Sequence, residues 1–290
     1  MKHISPTFAR AMPLVFVLLW SSGFIGAKYG VPYAEPFTLL GLRLAIVTVI
    51  MGGVCVVYRV PWPRRRDVVW RAAIIGILMH GGYLGGVFAA ISLGMSVGLA
   101  ALFVGLQPLL TALLAGPMFG ERLSLRQWGG LGLGFVGVAL VVSGKTSFDG
   151  VEPLAFLFIA IALVGISSGT LFQKRYGTEI EMRMGSVIQF AAAGVVMGIV
   201  SFFLEAQQIT WAMPLILTLL WLVFGLSIGA VFLLYILIRD GEAARVASLF
   251  YLVPPVSAIM AFLLFGETMD GPTLGGLAAT VVGVALVQKR

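Results

Sequence analysis

From residue 11 onward, long apolar runs alternate with short polar or Pro/Gly-rich breaks. Ten such runs are readable, near 11–29, 36–58, 69–91, 96–117, 127–143, 153–173, 184–204, 211–237, 244–265 and 271–287. Each is close to the ~20 residues an α-helix needs to cross the hydrocarbon core of a bilayer. Strands do not fit. A membrane barrel alternates polar and apolar positions over about ten residues, whereas Leu14–Leu19 and Ala155–Val164 are apolar throughout. The pattern predicts an all-α membrane protein with ten transmembrane helices.

Composition agrees with that reading. The chain has 290 residues, 60% of them hydrophobic and only 11% charged, with a mean hydropathy of +1.05. A soluble domain carries roughly 25% charged residues, so the apolar excess must face lipid. The Lys and Arg residues are distributed unevenly between alternate breaks. Counting the breaks together with the run ends beside them, one side collects Lys2, Arg10, Arg59, Arg64, Arg65, Arg66, Arg71, Arg122, Arg126, Lys174, Arg175, Arg183, Arg239, Arg245, Lys289 and Arg290. The other holds only Lys28 and Lys145, and Arg43 falls inside the second run. The positive-inside rule then predicts both termini in the cytoplasm of a plasma (cell inner) membrane. The first run, although preceded by Lys2 and Arg10, lacks a clear small-residue cleavage pattern and reads as a retained span. Because the net charge of +7 is spread over these breaks and not along one face, no nucleic-acid partner is expected. Cys55 is the single cysteine and His3 and His80 the only histidines, so no disulfide, metal site or other cofactor is expected.

The sequence also repeats at an offset of 146 residues. Pro108, Ala112, Ala115, Phe119, Gly120 and Glu121 fall on Pro254, Ala258, Ala261, Phe265, Gly266 and Glu267. Gly129–Gly130–Leu131 falls on Gly275–Gly276–Leu277, and Val136–Val141 on Val282–Val287. Ser21, Ser22, Gly23 and Lys28 fall on Ser167, Ser168, Gly169 and Lys174 in the same register. The expected division is therefore 1–145 and 146–290, with five helices in each half. Five is odd, so the second half enters the membrane inverted. Inverted repeats are typical of alternating-access carriers, with the substrate near the midplane where the halves meet.

These features resemble the drug/metabolite transporter superfamily and, within it, the EamA-type ten-helix carriers. The resemblance rests on the Pro-bearing fourth and ninth runs ending in Phe-Gly-Glu and on the Gly-Gly-Leu…Val-Gly-Val-Ala-Leu-Val helix closing each half. It spans about residues 12–287. It implies a multi-pass inner-membrane secondary carrier, not an enzyme, that exports amino acids or related small metabolites by uniport or exchange. The expected partners are that substrate and the lipid bilayer, and a monomer is expected, with a dimer as the alternative.

Several side chains are candidates for the binding site. Arg43 is costly inside a span, about 2.5–3.5 kcal/mol on insertion scales. It should pair with a substrate carboxylate, or else snorkel or bond neighbouring carbonyls. His80 and Tyr83 stand at i and i+3 and point the same way. An imidazole there could bind or carry a proton, or be a satisfied core group. Trp20, Ser21 and Ser22, with Ser167, Ser168 and Thr170, put polar groups near the middle of the first and sixth runs, either lining a cavity or bonding local carbonyls. Gln107 and Tyr251 precede Pro108 and Pro254 near the middle of the fourth and ninth runs, where proline frees upstream carbonyls; binding and simple kinking are both open. Gly130 and Gly134 form a GxxxG expected to pack helices within the fold.

No Asp or Glu sits in the middle of a run. Proton-coupled drug/metabolite antiport is the alternative function, and it would have to use His80. No G-x-x-x-x-G-K-[ST] loop is present for ATP. An intramembrane enzyme would need His/Asp/Glu clusters that are missing, and a channel would not need an inverted duplication.

Overall fold

A computed structural model describes residues 6–119, 124–143, 150–231, 233, 237 and 249–288. The described residues are helical apart from short connections and one isolated antiparallel bridge, Ala34–Ile209. In chain order, α1 is Pro6–Gly30, α2 Pro36–Val57, α3 Arg66–Ser92, α4 Val97–Val104 and α5 Gln107–Phe119. There follow α6 Leu125–Ser143, α7 Pro153–Tyr176, α8 Met182–Leu204, α9 Met213–Ala230, α10 Val253–Phe265 and α11 Gly271–Gln288. Seven stretches among them are long and apolar enough to cross a membrane: most of α1, then α2, α3, α4 with most of α5, α7, α8 and α9. The all-helical expectation holds for the described residues. The fifth and tenth runs appear as α6 and α11, and the start of the ninth lies outside the described residues.

Helix ends follow local chemistry. Pro36 and Pro153 open α2 and α7 in the first turn, where the missing N–H costs nothing. Glu181 caps α8 by accepting from the backbone N–H groups of Arg183 and Met184. Gly266 ends α10 in the left-handed region at φ 65°, a conformation that glycine adopts without a Cβ clash.

The connections gather at two ends of the bundle. At one end the Tyr33 carbonyl accepts from the Thr210 N–H at 2.7 Å and the Leu93 carbonyl from the Glu152 N–H at 2.9 Å. Two carboxylates from the second half of the sequence also cap helices of the first. Glu205 accepts from the N–H groups of Phe37 and Thr38 at 2.7 Å each and from the Thr38 hydroxyl at 2.7 Å. Glu267 accepts from the N–H groups of Val97 and Gly98 at 2.9 and 3.2 Å. At the other end Arg71 pairs with Glu179 at 2.7 Å and lies over the Tyr176 ring. Lys28, in the last turn of α1, belongs to the first end, and Lys174, in the last turn of α7, to the second.

The helices bury small and aliphatic residues between them and turn others outward. Leu39, Leu40, Leu44 and Val47 of α2 are fully buried, while Val49 and Val56 are more than 70% exposed. Such apolar outer faces belong in lipid. Helices α6 and α11 lie against each other through glycine. A Cβ on Gly137 would stand 2.7 Å from the Gly276 carbonyl, and one on Gly283 2.6 Å from the Gly130 carbonyl. The expected small-residue motif is thus spent inside the fold, in contacts related by the 146-residue offset.

Candidate binding cavity

A cavity lies in the middle of the bundle, walled by α1, α2, α3, α7, α8 and α9. Its polar groups are Trp20, Arg43, His80, Tyr83 and Ser227. Phe24, Met79, Phe88, Ile166, Phe190 and Leu226 supply apolar walls.

Two of the contributing helices carry π-helical turns where they meet it: Ile77–Gly82 in α3 and Trp221–Ala230 in α9. An i→i+5 turn rotates the following side chains and is frequent at functional sites. The two segments overlap when one is shifted by 146 residues. The α3 turn is seated hard against its neighbours. A Cβ on Gly165 of α7 would lie 2.7 Å from the Leu78 carbonyl oxygen and 2.9 Å from the Tyr83 nitrogen. Gly76 likewise meets the backbone of Gln189 on α8. This close approach fixes the direction in which His80 and Tyr83 project.

Arg43 is 5% exposed. Its Nε and Nη2 donate to the Ser227 hydroxyl oxygen at 3.1 and 3.0 Å, and that hydroxyl donates to the Leu222 carbonyl at 3.1 Å. A guanidinium has five N–H donors. Among the described residues no carboxylate pairs with it. The His80 ring packs on Phe190 with centroids 4.6 Å apart. Tyr83 is buried at the cavity wall.

The remaining candidates stand elsewhere. Ser21 is buried and donates to the Val253 carbonyl at 3.4 Å, and Ser167 donates to the Gln107 carbonyl at 3.4 Å. Both donors and both acceptors are related by the 146-residue offset, so these hydroxyls join α1 to α10 and α7 to α5 in matching ways. Ser22 donates to the Leu19 carbonyl at 2.6 Å and accepts from the Trp221 indole at 2.9 Å. Ser168 is half-buried on α7 and is not part of the cavity wall. The Gln107 amide, at the start of α5, donates to the Thr170 hydroxyl of α7 at 3.3 Å. Tyr251 lies in the single turn Phe250–Leu252, and its side chain is outside the described residues. The structure thus brings Trp20, Arg43, His80 and Tyr83 together, leaves Ser21, Ser22, Gln107 and Ser167 in helix contacts, and places Ser168 outside the cavity wall.

Ser227 escaped the sequence reading, being one of several polar residues in a long apolar run. Its counterpart at the 146-residue offset is Gly81, so the repeat carried no signal for it.

The EamA-like transporter family model matches residues 8–143 and again 153–288. The chain belongs to the EamA-like transporter family. A "Probable amino-acid metabolite efflux pump" of Salmonella typhimurium is 27% identical over 284 residues, covering 94% of this chain and 92% of that protein. The uncharacterized inner membrane transporter YedA of Escherichia coli is 27% identical, covering 99% and 92%. The uncharacterized transporter YvbV of Bacillus subtilis is 26% identical, covering 100% and 94%. A solved crystal structure superposes with a TM-score of 0.66 at 20% identity, over 95% of each chain, a likeness of fold alone. This EamA-like protein is a multi-pass membrane transporter, a role its apolar helices and central cavity suit.

Proposed function

We propose that this transporter is a secondary carrier that exports amino acids or related small metabolites across the inner membrane, by uniport or exchange. Two inverted five-helix halves, 1–145 and 146–290, with both termini in the cytoplasm, expose the central cavity to one side at a time. The binding groups are Trp20, Arg43, His80 and Tyr83, joined by Ser227.

One observation carries this reading: Arg43 is a buried guanidinium at the cavity whose partner is a hydroxyl. A buried charge without a counter-ion is costly. A carboxylate arriving with the substrate would take the free N–H donors in the paired geometry that guanidinium favours. The aromatic and aliphatic walls suit the side chain of an amphipathic metabolite. Names of relatives as an amino-acid metabolite efflux pump and an inner membrane transporter support the substrate class, direction and location. The offset-related pairs Ser21–Val253 and Ser167–Gln107 support the twin-half reading.

Counterflow in liposomes containing the purified protein tests it. A panel of labelled L-amino acids should include at least one whose uptake is stimulated by the same compound trapped inside. Absence of trans-stimulation across the panel would overturn the carrier reading for that class. Uptake driven by an imposed pH gradient would instead favour proton-coupled antiport, with His80 as the titratable histidine at the cavity.

A further inference from the structure

The two halves of the chain contribute unequally to the cavity. Trp20, Arg43, His80 and Tyr83 all come from the first half, and Ser227 is the one polar wall residue from the second. The 146-residue offset shows what replaces them. Ile166 stands at the counterpart of Trp20, and Leu226 at the counterpart of His80. Both are in the wall, so the same place in each half holds a polar ring on one side and an aliphatic chain on the other. A substrate held by its carboxylate at Arg43 thus meets carbon on the α7, α8 and α9 side, where Ile166, Phe190 and Leu226 stand.

Of these, Leu226 has its place fixed relative to the carboxylate pole. It precedes Ser227, whose hydroxyl accepts from Arg43 at 3.1 and 3.0 Å, and both residues belong to the π-helical turn of α9. Behind Leu226 lies α1. A Cβ on Gly23 would stand 2.6 Å from the Leu226 Cδ2, and one on Gly26, a turn farther on, 2.7 Å from the Leu222 Cδ2. With the backbone of α1 already in contact, the Leu226 side chain has no room to withdraw in that direction. The cavity itself holds about 70 Å³, less than half of the ~150 Å³ in which an apolar cavity takes up benzene. At that size a single methyl group decides what fits, because interiors are close-packed.

We infer that Leu226, seated on Gly23, is the specificity-determining residue that limits the length of the substrate side chain, so that the preferred substrates are amino acids with short aliphatic side chains. This rests on the amino-acid reading above and deepens it by naming the side-chain class. In a hydrophobic pocket one methylene too many or too few changes discrimination by about tenfold or more.

The test measures binding of L-alanine, L-valine, L-leucine and L-phenylalanine, four members of the counterflow panel, to the purified full chain in lipid. The wild-type protein should bind alanine or valine best and leucine about tenfold more weakly or worse. Leu226→Ala should strengthen leucine about tenfold and leave alanine within about twofold. Gly23→Ala should act in the opposite sense. Its methyl meets only the far end of a flexible side chain, so the helices stay in place while Leu226 turns into the cavity and valine weakens before alanine. The proposal is overturned if leucine or phenylalanine binds the wild-type protein as well as alanine does. It is overturned equally if panel members bind but none of these four does, or if the variants shift all four alike. A second arm needs no substrate. In a Cys55→Ala background, Leu226→Cys should react with methyl methanethiosulfonate in the folded protein. Leu222→Cys, at a fully buried position outside the cavity wall, should stay unreacted. No reaction at position 226, or equal reaction at both, removes Leu226 from the wall and the proposal with it. If no amino acid of the panel binds the wild-type protein, it is the substrate reading that fails, while the thiol arm still decides whether Leu226 bounds the cavity.

Discussion

At the scale of single residues, the cavity is defined by a few polar groups embedded in apolar surroundings. Arg43 and Ser227 form the clearest pair. Ser227 has one hydroxyl proton, given to Leu222, and so can only accept from the guanidinium. Arg43→Gln should lower counterflow of carboxylate-bearing substrates at least about tenfold while leaving the protein folded, since it removes a buried charge whose partner is a hydroxyl. Arg43→Lys should not restore transport, because an ammonium lacks the planar fork that holds a carboxylate. Transport assays paired with a thermal-unfolding check separate loss of binding from loss of fold. Full activity in Arg43→Gln would move the carboxylate pole elsewhere. Arg43 and His80 were legible in the sequence because a charge or an imidazole in an apolar run must have a partner. Ser227 was not, because serine is common in membrane helices, where it can bond its own backbone. Only the π-helical turn directs it at Arg43.

At the scale of elements, helix ends and close contacts decide what can move. Glu205 and Glu267 look like charges at the ends of runs, as loop residues often do. In the folded chain each satisfies two backbone N–H groups at the start of a helix from the other half. Glu205→Ala should lower stability by about 1–2 kcal/mol, the usual worth of a cap. It should do so more than Glu205→Gln, whose amide keeps an acceptor but loses the charge that favours a helix N-terminus. Unfolding of the two variants in detergent measures the difference. Gly165→Leu tests the seat of the α3 turn. With backbone oxygen and nitrogen of α3 within 3 Å of the added Cβ, the helices must separate. We expect at least about 1–3 kcal/mol of destabilisation from overpacking, and a loss of transport that is not recovered by lowering the temperature. Transport at wild-type levels would mean that the turn is not held in place by α7. Sequence periodicity located these helices. It could not see the π turns, because one extra residue in a turn leaves an apolar run just as apolar.

At the scale of the whole molecule, inverted halves with both termini in the cytoplasm make a direct prediction about labelling from the two sides of the membrane. In a background with Cys55 replaced by Ala, Lys28→Cys should react with an impermeant thiol reagent added outside intact cells, and Lys174→Cys only after permeabilisation. The two positions lie at opposite ends of the bundle, Lys28 in the last turn of α1 and Lys174 in the last turn of α7. Labelling of both from the same side would overturn the inverted arrangement of the halves.

What the sequence by itself determined is the class of molecule: helical, membrane-embedded, duplicated, and of the EamA type. Those properties follow from sums and periods, namely run length against bilayer thickness, the distribution of positive charge, and an offset repeated along the chain. They survive without knowing any contact. The tertiary structure alone decided which polar residues share a cavity. Ser21 and Ser167 look from the sequence as suited to lining it as Trp20 and Tyr83 do, yet they are used to join helices, while Ser227 is brought in from a distant run. The physical reason is that membrane helices attract each other without regard to sequence separation, through close glycine contacts and single hydrogen bonds. Which face of each helix points inward is therefore settled by its neighbours.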